Sequence, residues 1–344
     1  MQSRRGAIHG VTQTHLSDQA GAAPTNTPTG EKSRQIVYFF AVLAAFYLGF
    51  VLQVAPALQC PASGYAEDAF LAYCQARGYA DYDHGAAWFG LEPSVLEGAR
   101  KADVLFIGNS RLEFGFSAPS LTRWFTERGI RYYLLGFTYG ENITFFKPLL
   151  QRMKPHPHVY VINLDNDNFF SSVETPPGSD VMHAPDAFAR YWMKKLWQIP
   201  HHLLAPHGAP GSYSYFRRRS DGAFSAVAPS VLSPVPDPLP VDEGALANSV
   251  AVGRDFLQSL GIEQSCIILT YVPSGNGNKR ATAAAIAAAL GPRFVSPIGP
   301  LQAFDGSHLD PASADRFVQA FLAEAGPQIE QCTQSASARS PSLP

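Results

Sequence analysis

Between positions 101 and 325 short apolar runs alternate with longer stretches whose apolar residues recur every three to four positions. Val104–Ile107 is a short continuous apolar run, Tyr132–Leu135, Val159–Leu164 and Cys266–Val272 are short runs interrupted only by Asn163 and Thr270, and each is read as a strand. Ala245–Leu260, Ala281–Leu290 and Ala312–Ala325 have helical spacing, and the residues from Ser110 through Trp124 are compatible with a helix. Strands that are apolar at every position are buried on both faces. Such strands imply parallel pairing with helices packed on either side, hence an α/β layered sheet. The stretch from about 171 to 242 breaks the rhythm: it is proline-rich, carries Arg217-Arg218-Arg219, and holds His183, His201, His202 and His207. It is read as an insertion, helical around Ala187–Leu204, with packing or surface histidines and a solvated arginine loop.

A second pattern lies upstream. From Ile36 to Leu58 the chain carries no charge, and about 20 apolar residues suffice to cross a hydrocarbon core of about 30 Å. The division that follows is a disordered tail at 1–34, a transmembrane helix at 35–58, a juxtamembrane segment at 59–100, a folded domain at 101–332 and a second disordered tail at 333–344. Tyr79, Tyr82, Trp88 and Phe89 form an aromatic cluster expected to cap the domain. Arg4, Arg5, Lys32 and Arg34 precede the apolar segment, whereas Glu67 and Asp68 are the first charges after it. By the positive-inside rule the N-terminus is cytoplasmic and the domain extracytoplasmic, on a single-pass protein of the cytoplasmic membrane.

Composition sharpens that picture in two respects. Charged residues make up 16% of the 344 residues, against about 25% in typical soluble domains, and the net charge of −2 argues against a nucleic-acid partner. All four cysteines, Cys60, Cys74, Cys266 and Cys332, follow the apolar segment, where an oxidising compartment permits disulfides. Three connectivities are possible; Cys60–Cys74 with Cys266–Cys332 closes a short loop and ties the C-terminal region to the body. No metal-ligand spacing is present, and Gln59 is too large for a lipoprotein cleavage box ahead of Cys60.

Candidate chemistry is concentrated in two short segments. In Ala102–Gly115 a buried strand ends, Gly108 permits a tight turn, and Ser110 falls at the start of a helix. A hydroxyl there projects at the carboxyl edge of a parallel sheet, where such folds hold ligands. Far downstream, Asp305-Gly306-Ser307-His308 precedes the last helix. Serine is a weak nucleophile until a base takes its proton, and a histidine base needs a carboxylate to fix its tautomer and stabilise its charged form. Asp305 and His308 supply both from one loop.

In these residues the chain resembles the SGNH/GDSL hydrolase superfamily over about 101–325, with 171–242 unmatched. Gly108-Asn109-Ser110 is similar to the family's first block, which makes Ser110 the nucleophile, and Asp305 to His308 is similar to its last, which makes them acid and base. Leu134 to Gly140 looks like the glycine block, so Gly136, or else Gly140, is the candidate oxyanion amide. Val159 to Asp167 occupies the place of the block that supplies an asparagine, aligning Asn166 with that donor. Two departures stand out: Asn109 replaces the usual Asp, and Leu164 replaces a glycine, so Asn163 or Asp165 could face the site instead of Asn166. Gly140, Asn163 and Tyr139 are candidate substrate contacts, and Tyr139, Phe169 and Phe170 candidate platforms for sugar rings; the loop Pro273–Lys279 is a candidate rim.

The resemblance implies an SGNH-like, flavodoxin-like three-layer fold and acyl transfer through an ester on Ser110, with no cofactor. It implies an esterase if water accepts the acyl group and an O-acyltransferase if a sugar hydroxyl does. One anchor carrying an extracytoplasmic SGNH domain is similar to polysaccharide O-acetylation proteins and to the SGNH protein of teichoic-acid D-alanylation, which implies an acyl-ester or glycan substrate and a multi-pass membrane protein as acyl donor. A catalytically silent scaffold that binds a glycan or an envelope partner is the rival expectation.

Overall fold

The computed structural model describes residues 29–61, 68–76, 78–165, 169–204, 213–227 and 231–339. Two compact units are present, 1–51 and 52–344. Helix α1 (Thr29–Leu58) begins inside the expected tail of 1–34, so 29–34 are helical; residues 1–28 lie outside the described ones. Among the residues whose side chains are described, no helix is long and apolar enough to cross a membrane; within α1 those side chains run unbroken only from 33 to 49.

The second unit opens with β1 (Ala69–Cys74), β2 (Ala80–Asp81), α2 (Asp83–Trp88) and α3 (Pro93–Lys101). Then come β3 (Val104–Asn109), α4 (Ser110–Phe116), α5 (Pro119–Arg128), β4 (Tyr132–Phe137), α6 (Ile143–Met153) and β5 (Val159–Asn163). The middle holds α7 (Gly178–His183), α8 (Ala187–Leu204), β6 (Ser214–Arg218), β7 (Phe224–Val227) and β8 (Ser233–Pro234). Last are α9 (Glu243–Ser259), β9 (Ile267–Thr270), α10 (Arg280–Leu290), β10 (Arg293–Phe294), β11 (Gln302–Ala303) and α11 (Pro311–Arg339).

The central sheet has the order β10-β9-β5-β3-β4, with every pair parallel. This is the flavodoxin-like order, and its switch point falls between β3 and β5, where ligands of such sheets bind. Alternate residues of β3 enter different cores: Val104 and Phe106 pack with α11 residues such as Phe317 and Phe321, whereas Leu105 and Ile107 share a cluster with Phe145 of α6 and Phe256 of α9. The sheet is therefore the middle of three layers, as its continuous apolar strands require.

Several expected boundaries shift. The helix after Ser110 breaks into α4 and α5 because Pro119 fits only the start of a helix. The last helix runs to Arg339, past the expected end at 325 and into the expected tail at 333; Ile329 and Cys332 remain buried along it, and Pro327 does not stop it. Residues 340–344 lie outside the described ones. Both disulfides form as Cys60–Cys74 and Cys266–Cys332.

The segments read as juxtamembrane and as insertion build one structure together. β1 pairs antiparallel with β6, giving a second sheet in the order β2-β1-β6-β7. Its arginines are not a solvated loop: they lie in or just after β6, and Arg217 is fully buried, because its guanidinium meets Asp83 at 2.9 and 2.8 Å and the Leu134 carbonyl at 2.8 Å.

A second enclosed cluster joins α2 to the loop after β4. His84 Nδ1 lies 2.9 Å from Asp81 and its Nε2 2.9 Å from Glu141, and Tyr191 of α8 donates to Asp81 at 2.9 Å. Burial alone would push the imidazole down, but the charges and hydrogen bonds of Asp81 and Glu141 outweigh it and raise the pKa to about 10. A raised value means that the stabilisation is complete below the unfolded value of 6.5 and is lost as pH rises through about 10. His84→Gln leaves two buried carboxylates uncompensated and is expected to cost about 3–5 kcal/mol at neutral pH. Urea denaturation at stepped pH checks this: the deficit relative to wild type should be largest below 6.5 and shrink as pH approaches about 10.

Candidate active site

β3 ends and α4 begins within one peptide unit, which leaves Ser110 as the first helical residue at the carboxyl edge of the sheet. The turn is tight because Gly108 passes close to its neighbours: a Cβ there would lie 2.9 Å from Asn163 Cβ and 3.0 Å from Leu112 Cβ. Asn109 caps the helix, its Oδ1 accepting from the Arg111 amide at 3.0 Å.

The downstream segment closes on this hydroxyl. Ser110 Oγ lies 2.8 Å from His308 Nε2, and His308 Nδ1 lies 2.7 Å from Asp305 Oδ2. The other Asp305 oxygen accepts from the amides of Ser307 and His308 at 2.9 and 2.8 Å. Burial would push the Asp305 carboxyl up, but the hydrogen bond and charge of His308, with the two amides, hold it below the ordinary carboxylate value. With a proton on Nδ1 donated to Asp305, Nε2 is left to accept the serine proton. The turn itself is closed by a bond from the Phe304 amide to the His308 carbonyl at 2.9 Å. Gly306 adopts φ +77°, where a Cβ would also meet Asn276 Oδ1 at 2.7 Å. The loop Pro273–Lys279 thus packs against the 305–308 turn and is not part of the cleft lining.

A cleft of about 380 Å³ opens over Ser110 and His308, walled by Arg111, Asp165, Tyr139, Gly140, Tyr73 and Tyr215. A larger hollow of about 600 Å³, lined by Phe116, Pro119 and Phe224 among others, holds none of the three triad residues. Tyr73 and Tyr215 are register partners of β1 and β6, with ring centroids 5.2 Å apart, and Tyr73 meets Tyr139 edge-on at 5.8 Å. Tyr139 is 48% exposed and holds a left-handed φ of +65°, a conformation that costs a non-glycine residue about 1–2 kcal/mol.

The expected oxyanion donors divide. The Gly136 amide is donated to the Glu113 carboxylate and its carbonyl accepts from Arg217, so Gly136 belongs to the interior and not to the cleft. Burial, offset in part by Arg217, pushes the Glu113 carboxyl up to about 8. Gly140, the other candidate, lines the cleft. Asn163 is enclosed at the end of β5, its Oδ1 accepting from the Val272 amide at 2.9 Å, and it does not reach the cleft. Asn166 lies outside the described residues. Phe169 and Phe170 are core residues against Phe256, while Tyr139 faces the cleft.

Sequence reading missed Arg111, Tyr73 and Tyr215 among the residues that line the cleft. Arg111 was marked only by being a charge inside an otherwise apolar block. Tyr73 and Tyr215 carried no local signal, because β1 and β6 meet only in the folded chain. Arg111 pairs with Asp165 at 2.5 Å, and Asp165 also accepts from the Asn109 side-chain amide. The neutral amide at 109 is what allows a carboxylate at 165; an Asp in its place would set two carboxylates face to face. No family model matches the chain, nor does any curated protein or solved structure.

Asn109→Asp is therefore expected to destabilise the domain by about 1–3 kcal/mol at neutral pH, a loss relieved on acidification as one carboxyl takes a proton. The exchanged pair Asn109→Asp with Asp165→Asn should recover most of it, because one amide again faces one carboxylate. Thermal denaturation of the wild type and of the single and double variants reads the coupling.

Proposed function

We propose that the chain is an SGNH-type serine acyl-transfer enzyme, an esterase or O-acyltransferase, acting on acyl esters of an envelope or exported glycan. The observation that carries this reading is the Ser110–His308–Asp305 chain of contacts at 2.8 and 2.7 Å, at the switch point of a parallel sheet. Ser110 Oγ attacks the acyl carbonyl while its proton passes to His308 Nε2, and Asp305 stabilises the imidazolium. The tetrahedral oxyanion collapses, expelling the alcohol, which takes the proton from His308, and leaves an ester on Ser110. Water or a sugar hydroxyl, deprotonated in turn by His308, attacks that ester and restores the serine. The Gly140 amide and the Asn166 side chain are the oxyanion donors assigned by this reading. Such a donor is worth about 2.7–4 kcal/mol of transition-state stabilisation.

Tyr73, Tyr139 and Tyr215 support a ring-shaped substrate, since aromatic faces pack well on the apolar faces of sugars. The α1 helix supports a membrane anchor: its 30 residues extend about 45 Å, and Ile36, Phe40, Phe46 and Leu52 along it are all more than half exposed. Under this reading the N-terminus is cytoplasmic and the domain extracytoplasmic. A single helix carries no acyl group across a bilayer, so the donor reaches the cleft from a separate multi-pass membrane protein.

The test is covalent. An active-serine phosphonate should label Ser110, found as the adducted residue by peptide mass spectrometry, and Ser110→Ala should abolish labelling and lower hydrolysis of a small acetyl ester by at least about 10³-fold. Unchanged hydrolysis in Ser110→Ala sinks the triad, and a wild-type chain that neither labels nor hydrolyses favours a binding scaffold.

A further inference from the structure

Helix α8 is amphipathic in the reverse of the usual sense. Its hydrogen-bonding side chains point into the domain: Tyr191 to Asp81 at 2.9 Å, Lys195 to Glu92, Gln198 to the Leu71 carbonyl at 2.8 Å, and His201 to the Cys60 carbonyl at 3.0 Å. Lys194 reaches the Asp81 carbonyl on the same side. The opposite face is apolar throughout. Phe188, Trp192, Leu196, Ile199 and Leu203 follow one another by three or four positions, so they form one stripe along the helix. With Met193 beside them, their exposures run from 38 to 72%. A surface helix in water presents the opposite arrangement, its apolar stripe turned to the core.

What covers this stripe is indicated by where the helix ends. His201 is bonded to Cys60, two residues beyond the last residue of α1, and Ala57 and Cys60 are themselves fully enclosed in the second unit. The C-terminal end of α8 therefore sits where the chain emerges from α1. We propose that the outward face of α8 lies in the interfacial layer of the lipid bilayer, an inference that rests on the reading of α1 as a membrane anchor. The composition suits that layer. Trp and Phe at one end of an apolar stripe are the residues favoured at headgroup depth. A face of α8 in that layer would hold the domain to the membrane at a second point besides α1.

All four cysteines are paired, so a single introduced cysteine takes a fluorophore uniquely. The full-length chain is labelled at Leu196→Cys, Ile199→Cys, Leu43→Cys in α1, or Ile298→Cys, an apolar position 78% exposed in the loop before β11. It is then placed in nanodiscs of phosphatidylcholine and phosphatidylglycerol containing a nitroxide-labelled lipid. A nitroxide near the headgroup should quench the probes at 196 and 199 at least about threefold more strongly than the probe at 298, as expected for a face sunk about 5–10 Å into the boundary layer. A mid-chain nitroxide should quench the probe at 43. Quenching at 43 with none at 196 and 199 overturns the docking of α8 and leaves the anchor standing; no quenching at 43 removes the anchor and the inference with it. Protection of 196 and 199 from aqueous iodide only when other membrane proteins are present would assign the stripe to a protein partner and overturn the lipid proposal.

Discussion

The Arg217 guanidinium is held without contact to water and binds three parts of the chain that are distant in sequence. It donates to Asp83 through two nitrogens and to the carbonyls of Leu134, Gly136 and Gly222, and lies 3.2 Å from Glu113. Enclosing a guanidinium costs several kcal/mol unless nearly every donor finds an acceptor, and here the acceptors come from α2, the end of β4 and α4. Glu113 stands one helical turn after Ser110, so this charge sets the nucleophile's helix against β4. Because Arg217 itself belongs to β6, the same charge registers the second sheet, and with it Tyr73 and Tyr215, over the nucleophile.

The alternation of apolar runs made the parallel sheet readable, since β3, β4, β5 and β9 are each buried on both faces and leave no other assignment for such runs. The triad was readable for a local reason: Ser110 follows a strand end, and Asp305 and His308 lie in one turn. What stayed hidden depended on long-range pairing. β10 is two residues long and has no periodicity to detect. β1 and β6 look like parts of a linker and an insertion until they pair, so the tyrosine wall and the enclosed Arg217 had no signature beyond residue type. Gly136 was misjudged because its side of β4 turns inward to Glu113, a register that a seven-residue motif does not encode.

A chain poor in charge spends much of what it has inside. Asp81, His84 and Glu141 form one enclosed group, Asp83, Glu113 and Arg217 a second, and Asp165 with Arg111 a third beside the nucleophile. The groups are close in the fold: Asp81 and Asp83 flank Tyr82, and Glu141 follows Gly140 on the cleft wall. The polar frame of the cleft is thus continuous with the packing that joins the second sheet to the first, and the nucleophile's surroundings are set by residues from the whole second unit.

Asp305 and His308 occupy a single closed turn, seated on the 273–279 loop through Gly306 and Asn276. The imidazole is also packed from the front, its ring centroid 4.6 Å from that of Phe114 and 6.0 Å from that of Tyr215. Any displacement of that turn would carry imidazole and carboxylate away from the Ser110 hydroxyl together, because both belong to it.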